Sequence, residues 1–298
     1  MSKRQRKKPK GSRSPSTQRA GAAGAPQDLL RQFTVKGWAV TAQLLKVRRN
    51  ADAILDLMGF FDWLGAQNMR AIEGQLPRLA CKLDCAYCCY VGGDRPDLLP
   101  AEAFRIVLYA QSNVDVLDRV KARLQDEEKP GLSQKPGFSD KAPCLFLHKD
   151  RCTIYPVRPM RCRAQNSPDA ELCRQNYTGQ RATMPLLSEP ALLYKSLQMG
   201  LRVGLRDVGM QSAPLRLTKA IRLALEMPTI WEQWFEKENV FADALYPEPV
   251  DESRLIDEFM RTSRSQVWAE RETMQRVVLT CLNAPGTWAR YALDDVRP

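Results

Sequence analysis

Cysteine placement constrains this chain more than any other feature. Nine cysteines stand at positions 81, 85, 88, 89, 144, 152, 162, 173 and 281, and eight of them crowd between 81 and 173. The chain has one histidine, His148. A metal site assembled from these residues is therefore dominated by sulfur. Thiolate-rich ligand sets select zinc or iron–sulfur clusters and disfavour magnesium, calcium and the two-histidine iron centres. An odd cysteine count without a secretory leader points to a reducing, cytoplasmic setting, where clustered thiols bind metal more often than they pair.

The rest of the composition bounds the fold. Of 298 residues, 44% are hydrophobic and 27% charged, enough apolar matter for one large domain or two small ones. Collagen-like and low-complexity classes are excluded. No uncharged apolar run reaches the length of about 18 residues that a spanning helix requires. Residues 34–45 and 53–64 come nearest, but Lys36, Asp56 and Asp62 interrupt them. The net charge of +11 is concentrated in residues 1–27, which hold Lys3, Arg4, Arg6, Lys7, Lys8, Lys10, Arg13 and Arg19 and no acid. That leaves 37 basic against 34 acidic residues, only +3, for everything else. The same stretch is rich in Ser, Gly and Pro, so a disordered basic tail is expected. Such a tail either holds RNA or another anionic partner by counterion release, or is simply solvated.

Hydrophobic spacing predicts a mainly α fold. Leu30, Phe33, Val40, Leu44 and Val47 recur at helical intervals after Asp28, a plausible N-cap, and Ile54, Leu57, Met58, Phe61 and Leu64 do so next. Helices are expected over 101–111 and 114–128, with Ser112 or Asn113 capping the second, followed by a Pro/Gly/Lys-rich loop at 129–143. Segments 145–147 and 152–155 flank His148-Lys149-Asp150-Arg151 as a short hairpin. Leu193, Leu197, Leu201 and Leu205 form one later ridge, and Leu217, Ala220, Ile221, Ala224 and Leu225 another. After the break at Tyr246-Pro247-Glu248-Pro249, one or two helices should follow between Glu252 and Leu282. The expected organisation is a disordered tail at 1–27, a helical domain at 28–178 with an irregular Cys-rich metal-binding patch and a short β-hairpin, and a C-terminal helical region at 179–298.

The first cluster reads Cys81-Lys82-Leu83-Asp84-Cys85-Ala86-Tyr87-Cys88-Cys89. As a continuous helix it would set the thiols within roughly a 100° arc, the pattern of an inert buried stripe. Cys81 and Cys89 would then lie about 12 Å apart along the axis, beyond what one zinc with sulfurs at about 2.3 Å can span. Either the start of the motif is a loop or the four thiols do not serve one ion. Cys88 and Cys89, being adjacent, are expected to point different ways. Further ligands should come from Cys144, Cys152, Cys162 and Cys173, on the hairpin and loops beyond. Lys82, Arg151, Arg158, Arg161 and Arg163 stand beside these cysteines in sequence. Such cations lower thiol pKa and offset the excess charge of several thiolates on one centre.

These residues resemble the YkgJ-type cysteine-cluster family, described as zinc- or iron-chelating domains. Its spaced Cys, Cys, Cys-Cys run corresponds to Cys81, Cys85, Cys88 and Cys89. Its Pro-Cys-x-Phe-Leu element corresponds to Pro143–Leu147. Its Cys-x-Ile-Tyr-x-x-Arg-Pro-x-x-Cys-Arg element corresponds to Cys152, Ile154, Tyr155, Arg158, Pro159, Cys162 and Arg163. The likeness covers roughly residues 78–175. It departs in the three-residue gap between Cys81 and Cys85, where many members have two, and in the long helical extension after Cys173. The resemblance implies a metal-chelating protein, and some relatives act as flagellin lysine N-methylases.

Two other readings stand beside metal chelation. Cys81-x3-Cys85-x2-Cys88 looks like the cluster loop of radical S-adenosylmethionine enzymes, in which three thiolates leave one iron open, and Gly92-Gly93-Asp94 is similar to their Gly-Gly-Glu element. Helices precede the motif, however, and the βα alternation of those enzymes is absent. In the third reading the metal is a structural staple and the basic tail binds RNA. Among single residues, His148 is either a ligand or a solvated turn residue, with the turn favoured. Cys281 reads as core packing, as do Trp231, Trp234 and Phe235. Tyr155 and Phe146 would lid the site, with Tyr155, Arg158, Arg161 and Arg163 surrounding the ligands. Asp84 either pairs with the arginines or faces water.

Overall fold

The computed structural model describes residues 26–90, 96–127, 143–180, 183–247 and 250–294. The basic tail up to residue 25, the Gly92-Gly93-Asp94 element and nearly all of the 129–143 loop lie outside them. The described residues are mainly helical. The long helices are α1 (Pro26–Val47), α2 (Ala51–Ile72), α3 (Pro100–Gln111) and α4 (Val114–Glu127), then α7 (Ser188–Asp207), α8 (Leu217–Glu226) and α10 (Val250–Asn283). Between α4 and α7 lie the short α5 (Met160–Arg163) and α6 (Ala170–Tyr177), while α9 (Ile230–Phe235) and α11 (Thr287–Asp294) fall later. Segment 252–282 is thus covered by one helix of 34 residues, α10.

The apolar ridges read from sequence in α2 and α7 are buried faces, whereas Val47, at the end of the ridge expected in α1, is 64% exposed. Ile54, Leu57, Met58, Phe61 and Leu64 of α2 are all buried, as are Leu193, Leu197, Leu201 and Leu205 of α7. Asp28 lies inside the first turn of α1 rather than at its cap. The start of α2 is fixed by Asn50, whose side chain accepts the Ala53 N–H at 3.0 Å. α1 packs along α7 and α10. Its approach to α7 depends on glycine: a Cβ on Gly200 would stand 2.7 Å from the Thr34 carbonyl oxygen and 2.9 Å from Gly37 Cα. α11 docks on α2, where the buried Asp56 carboxylate accepts the Gly286 and Trp288 N–H groups at 2.9 and 3.1 Å. Phe104 of α3 stacks on Trp231 of α9 at 3.9 Å and lies beside Trp234 and Phe241, so the aromatic trio Trp231, Trp234 and Phe235 belongs to packing. One apolar core runs through all these helices and includes Cys281.

The hairpin forms with a tighter turn than expected. β2 (Leu147–His148) pairs antiparallel with β3 (Arg151–Cys152), leaving only Lys149 and Asp150 between them. Both turn residues have positive φ, 47° and 60°, the signature of a type I′ turn that suits the right-handed twist of paired strands. A second pair, β1 (Asp97–Leu98) with β4 (Leu215–Arg216), was not expected. Two-residue strands carry no readable alternation, and only the tertiary fold brings these together.

Candidate metal centre

Residues 76–86 form no helix, and Tyr87–Cys89 make one 3-10 turn. The loop start removes the spacing conflict that a continuous helix would impose. Cys88 and Cys89 do not diverge, contrary to expectation: their side chains hydrogen-bond each other, and both line one cavity. At about 120° per residue, neighbours on a 3-10 turn both reach a wall that wraps around it.

That cavity is the convergence point. Cys81, Cys85, Cys88, Cys89, Cys144, Cys152 and Cys162 all line it, with Phe146, Ile154, Tyr155 and Pro159 as its apolar wall. Its volume is about 80 Å³. That is well below the roughly 300 Å³ at which sites for organic ligands begin. Cys173, on α6, is buried and does not line the cavity, but its charge is felt at Cys85. Cys88 is the hub, because its charge raises the pKa of each of the other seven thiols in the cluster. His148 is exposed on β2 and does not line the cavity.

Backbone hydrogen bonds draw the distant segments in. The Cys144 N–H donates to the Cys89 carbonyl at 2.7 Å, and the Thr153 N–H to the Phe146 carbonyl at 2.9 Å. The Ser167 N–H donates to the Cys81 sulfur at 3.2 Å, joining the start of the motif to the segment before α6. Arg123 of α4 donates to the Cys144 and Leu147 carbonyls at 2.9 and 2.6 Å and holds the hairpin from behind.

Burial is the main influence on most of these thiols. It pushes Cys144 up to about 12 and Cys162 well above the ordinary thiol value. Cys81, Cys85, Cys152 and Cys173 rise for the same first reason, with hydrogen bonds opposing. Cys88 goes the other way, to about 7, chiefly because the Cys89 thiol hydrogen-bonds it, with Arg158 helping. Cys89 rises correspondingly.

The cations do not surround the sulfurs as sequence suggested. Arg158 lines the cavity, stacks over the Tyr155 ring at 4.2 Å, and its buried Nε lacks a hydrogen-bond partner among the described residues. Lys82 also lines the cavity but pairs with Asp84 at 3.8 Å on the exposed side. Arg151 is exposed on β3. Arg161 turns to Asp97 at 3.2 Å. Arg163 turns into the core, donating to Asp62 at 3.0 Å and to the Pro156 carbonyl at 2.7 Å.

Sequence reasoning missed the groups that position Cys162. Asp62 of α2 accepts from both Arg163 and Arg105, the latter at 2.5 Å, with all three side chains less than a tenth exposed. Glu102, buried in α3, accepts the Leu99 N–H at 2.8 Å and the Met160 N–H at 2.7 Å, capping α3 and holding the first residue of α5. The signal was present, since an acid inside an otherwise apolar helix needs a buried partner, and Asp62 interrupts such a run.

Among the described residues no three His, Cys, Asp or Glu side chains are gathered closely enough to hold a metal ion as they stand. The donors share a cavity without forming a closed ligand shell. Their chemistry fits zinc or iron: they are sulfur only, rim one small cavity, and share it with the half-buried cation Arg158. A larger cleft of about 450 Å³ adjoins the cavity, sharing Pro96 and Gln165 with it. Arg161–Asp97 and Arg202–Glu252 ion pairs and Lys195 line this cleft.

The helical scaffold presents a shared pocket of thiols carried on loops. Residues 80–182, roughly a third of the chain, match the family described as "CxxCxxCC: Putative zinc- or iron-chelating domain". No curated protein and no solved structure matches the chain. Among the described residues no helix is long and apolar enough to cross a membrane. Among the described residues, the four two-residue strands supply nothing resembling the βα barrel of radical S-adenosylmethionine enzymes.

Proposed function

We propose that the chain binds zinc or iron, as an ion or an iron–sulfur cluster, through Cys81, Cys85, Cys88, Cys89, Cys144, Cys152, Cys162 and Cys173, in a reducing cytoplasmic setting. The observation that carries this reading is the meeting of seven of these thiols at one cavity of about 80 Å³. All nine cysteines are unpaired, as metal binding requires. A bound metal would clamp the 81–89 turn to the hairpin and α5 and replace thiol protons with metal–sulfur bonds. Arg158 would offset the thiolate charge, and Phe146 and Tyr155 would limit water at the sulfurs. Elemental analysis and absorption spectroscopy of protein purified without oxygen test the reading. Near-stoichiometric metal is expected, and less than about half an ion per chain would overturn it.

A catalytic role is the second reading. It is favoured by the 450 Å³ cleft that shares two walls with the thiol cavity, a volume suited to a small organic ligand. Cleavage of S-adenosylmethionine by the reduced, iron-loaded protein would support it, and a colourless zinc protein would dispose of it.

A further inference from the structure

Resting on the metal-binding reading above, we infer that the eight thiols divide into two four-sulfur centres: Cys81, Cys85, Cys88 and Cys173 form one, and Cys89, Cys144, Cys152 and Cys162 the other. The chain therefore takes two metal ions or two clusters, in sites that meet at the Cys88–Cys89 peptide.

The division follows the hydrogen bonding. On one side, Ser167 is shared. Its N–H donates to the Cys81 sulfur at 3.2 Å, the Cys81 thiol faces the Ser167 and Gln165 carbonyls at 3.8 and 3.9 Å, and its hydroxyl hydrogen-bonds Cys173. The turn that carries both Cys88 and Cys89 packs on α6, which carries Cys173, and the Tyr87 and Tyr90 rings stand 5.8 and 4.9 Å from the Tyr177 ring at the end of that helix. On the other side, Cys89 is joined to the hairpin. Its carbonyl accepts the Cys144 N–H at 2.7 Å, and Tyr90 bridges to Pro143. Cys152 sits opposite Leu147 in the hairpin, whose N–H returns to the Cys144 carbonyl at 2.9 Å. Cys162 comes from α5, held by Glu102 and Asp62, and the thiol charges that act on it most are those of Cys144 and Cys152. Those that act most on Cys173 are Cys81 and Cys88.

Metal chemistry agrees with the count. Eight thiolates exceed what one tetrahedral ion or one four-iron cluster takes, which is four, and two such centres use all eight. The adjacent residues Cys88 and Cys89 then each finish a different centre. The exposed Cys81 side would be the outer site and the Cys144–Cys162 side the inner one.

The test uses the full chain with zinc as probe, loaded without oxygen and read by elemental analysis after gel filtration. Two zinc ions per chain are expected. Cys85→Ser with Cys173→Ser should leave one, and Cys144→Ser with Cys162→Ser should also leave one, each with an unchanged helical circular dichroism spectrum. No zinc in the unaltered protein would sink the metal-binding reading itself. One zinc in the unaltered protein, or complete loss in either double variant with the helices intact, would leave that reading standing and overturn the division. Should a variant unfold, intact mass of partly loaded unaltered protein after thiol alkylation decides. Two centres give a species with four thiols protected, whereas a direct passage from none to eight overturns the division.

Discussion

The guanidinium of Arg163 donates to the buried carboxylate of Asp62 at 3.0 Å, so the residue that follows Cys162 is anchored in the helical core and not at the sulfurs. Arg105 shares the same carboxylate. Removing the single acid leaves two guanidinium groups facing each other in a dry site. Asp62→Ala should cost about 3–5 kcal/mol, because a buried charge without its partner is far more costly than an exposed one. Urea denaturation of the metal-free protein measures this. Asp84→Ala, which removes only the exposed pair with Lys82, should change stability by less than about 1 kcal/mol. Equal effects would refute the anchoring role.

Arg158 and Arg161 are three residues apart but face different spaces, the thiol cavity and the adjoining cleft. Arg158→Gln should weaken zinc binding by about 10–100-fold, the usual effect of removing a group that supports ligands from outside. Arg161→Gln should leave it unchanged. Competition against a coloured chelator gives both values, and a loss at Arg161 as large as that at Arg158 would count against this assignment.

Glu102 makes stability depend on pH in an unusual direction. Burial pushes its carboxyl up to about 7 from the ordinary 4.5, against the pull of the Met160 and Leu99 N–H donors. The folded chain therefore holds this proton more tightly than the unfolded chain does. The stabilisation is complete below the ordinary carboxylate value and is lost as pH rises through about 7, in total roughly 3 kcal/mol. Metal-free protein should show this fall in its denaturation midpoint between pH 4.5 and 7, and Glu102→Gln, though less stable, should flatten it. A rise over that interval in the unaltered protein would show that the two donors outweigh burial.

The α1–α7 contact should tolerate no added methyl. Gly200→Ala forces apart helices whose backbones already touch and should cost about 1–3 kcal/mol, despite the better helix propensity of alanine. Gly74→Ala, with nothing within 4 Å of the new methyl, should be close to neutral. Thermal melting of both variants distinguishes packing from propensity.

Much of this was legible from residue order. Helical ridges such as Leu193–Leu205 gave the buried faces, because a period of 3.6 can be read directly along the chain. The convergence of cysteines from 81–89 and 144–162 was legible because sulfur-only ligation by one short motif fails on distance. The orientation of Cys88 and Cys89 was not, since it depends on a single 3-10 turn rather than on a helix or strand. Nor were the targets of Arg161 and Arg163. A charge beside a cysteine in sequence says nothing about which way it turns, and Arg163 finds its partner 101 positions away at Asp62. Asp56 and Asp62 were visible only as interruptions of apolar runs, without their partners.

The packing of α1 against α7 and α10, and of α2 against α11, bears on how the chain is made. Besides their contacts with each other and with α3, these two helices take their largest partners from segments far later in the chain, and without those segments they expose Trp38, Leu44, Phe60 and Phe61, all of which end fully covered. Long-range pairing of this kind slows folding. Until those later helices are in place, the greasy pair has to be kept from aggregating.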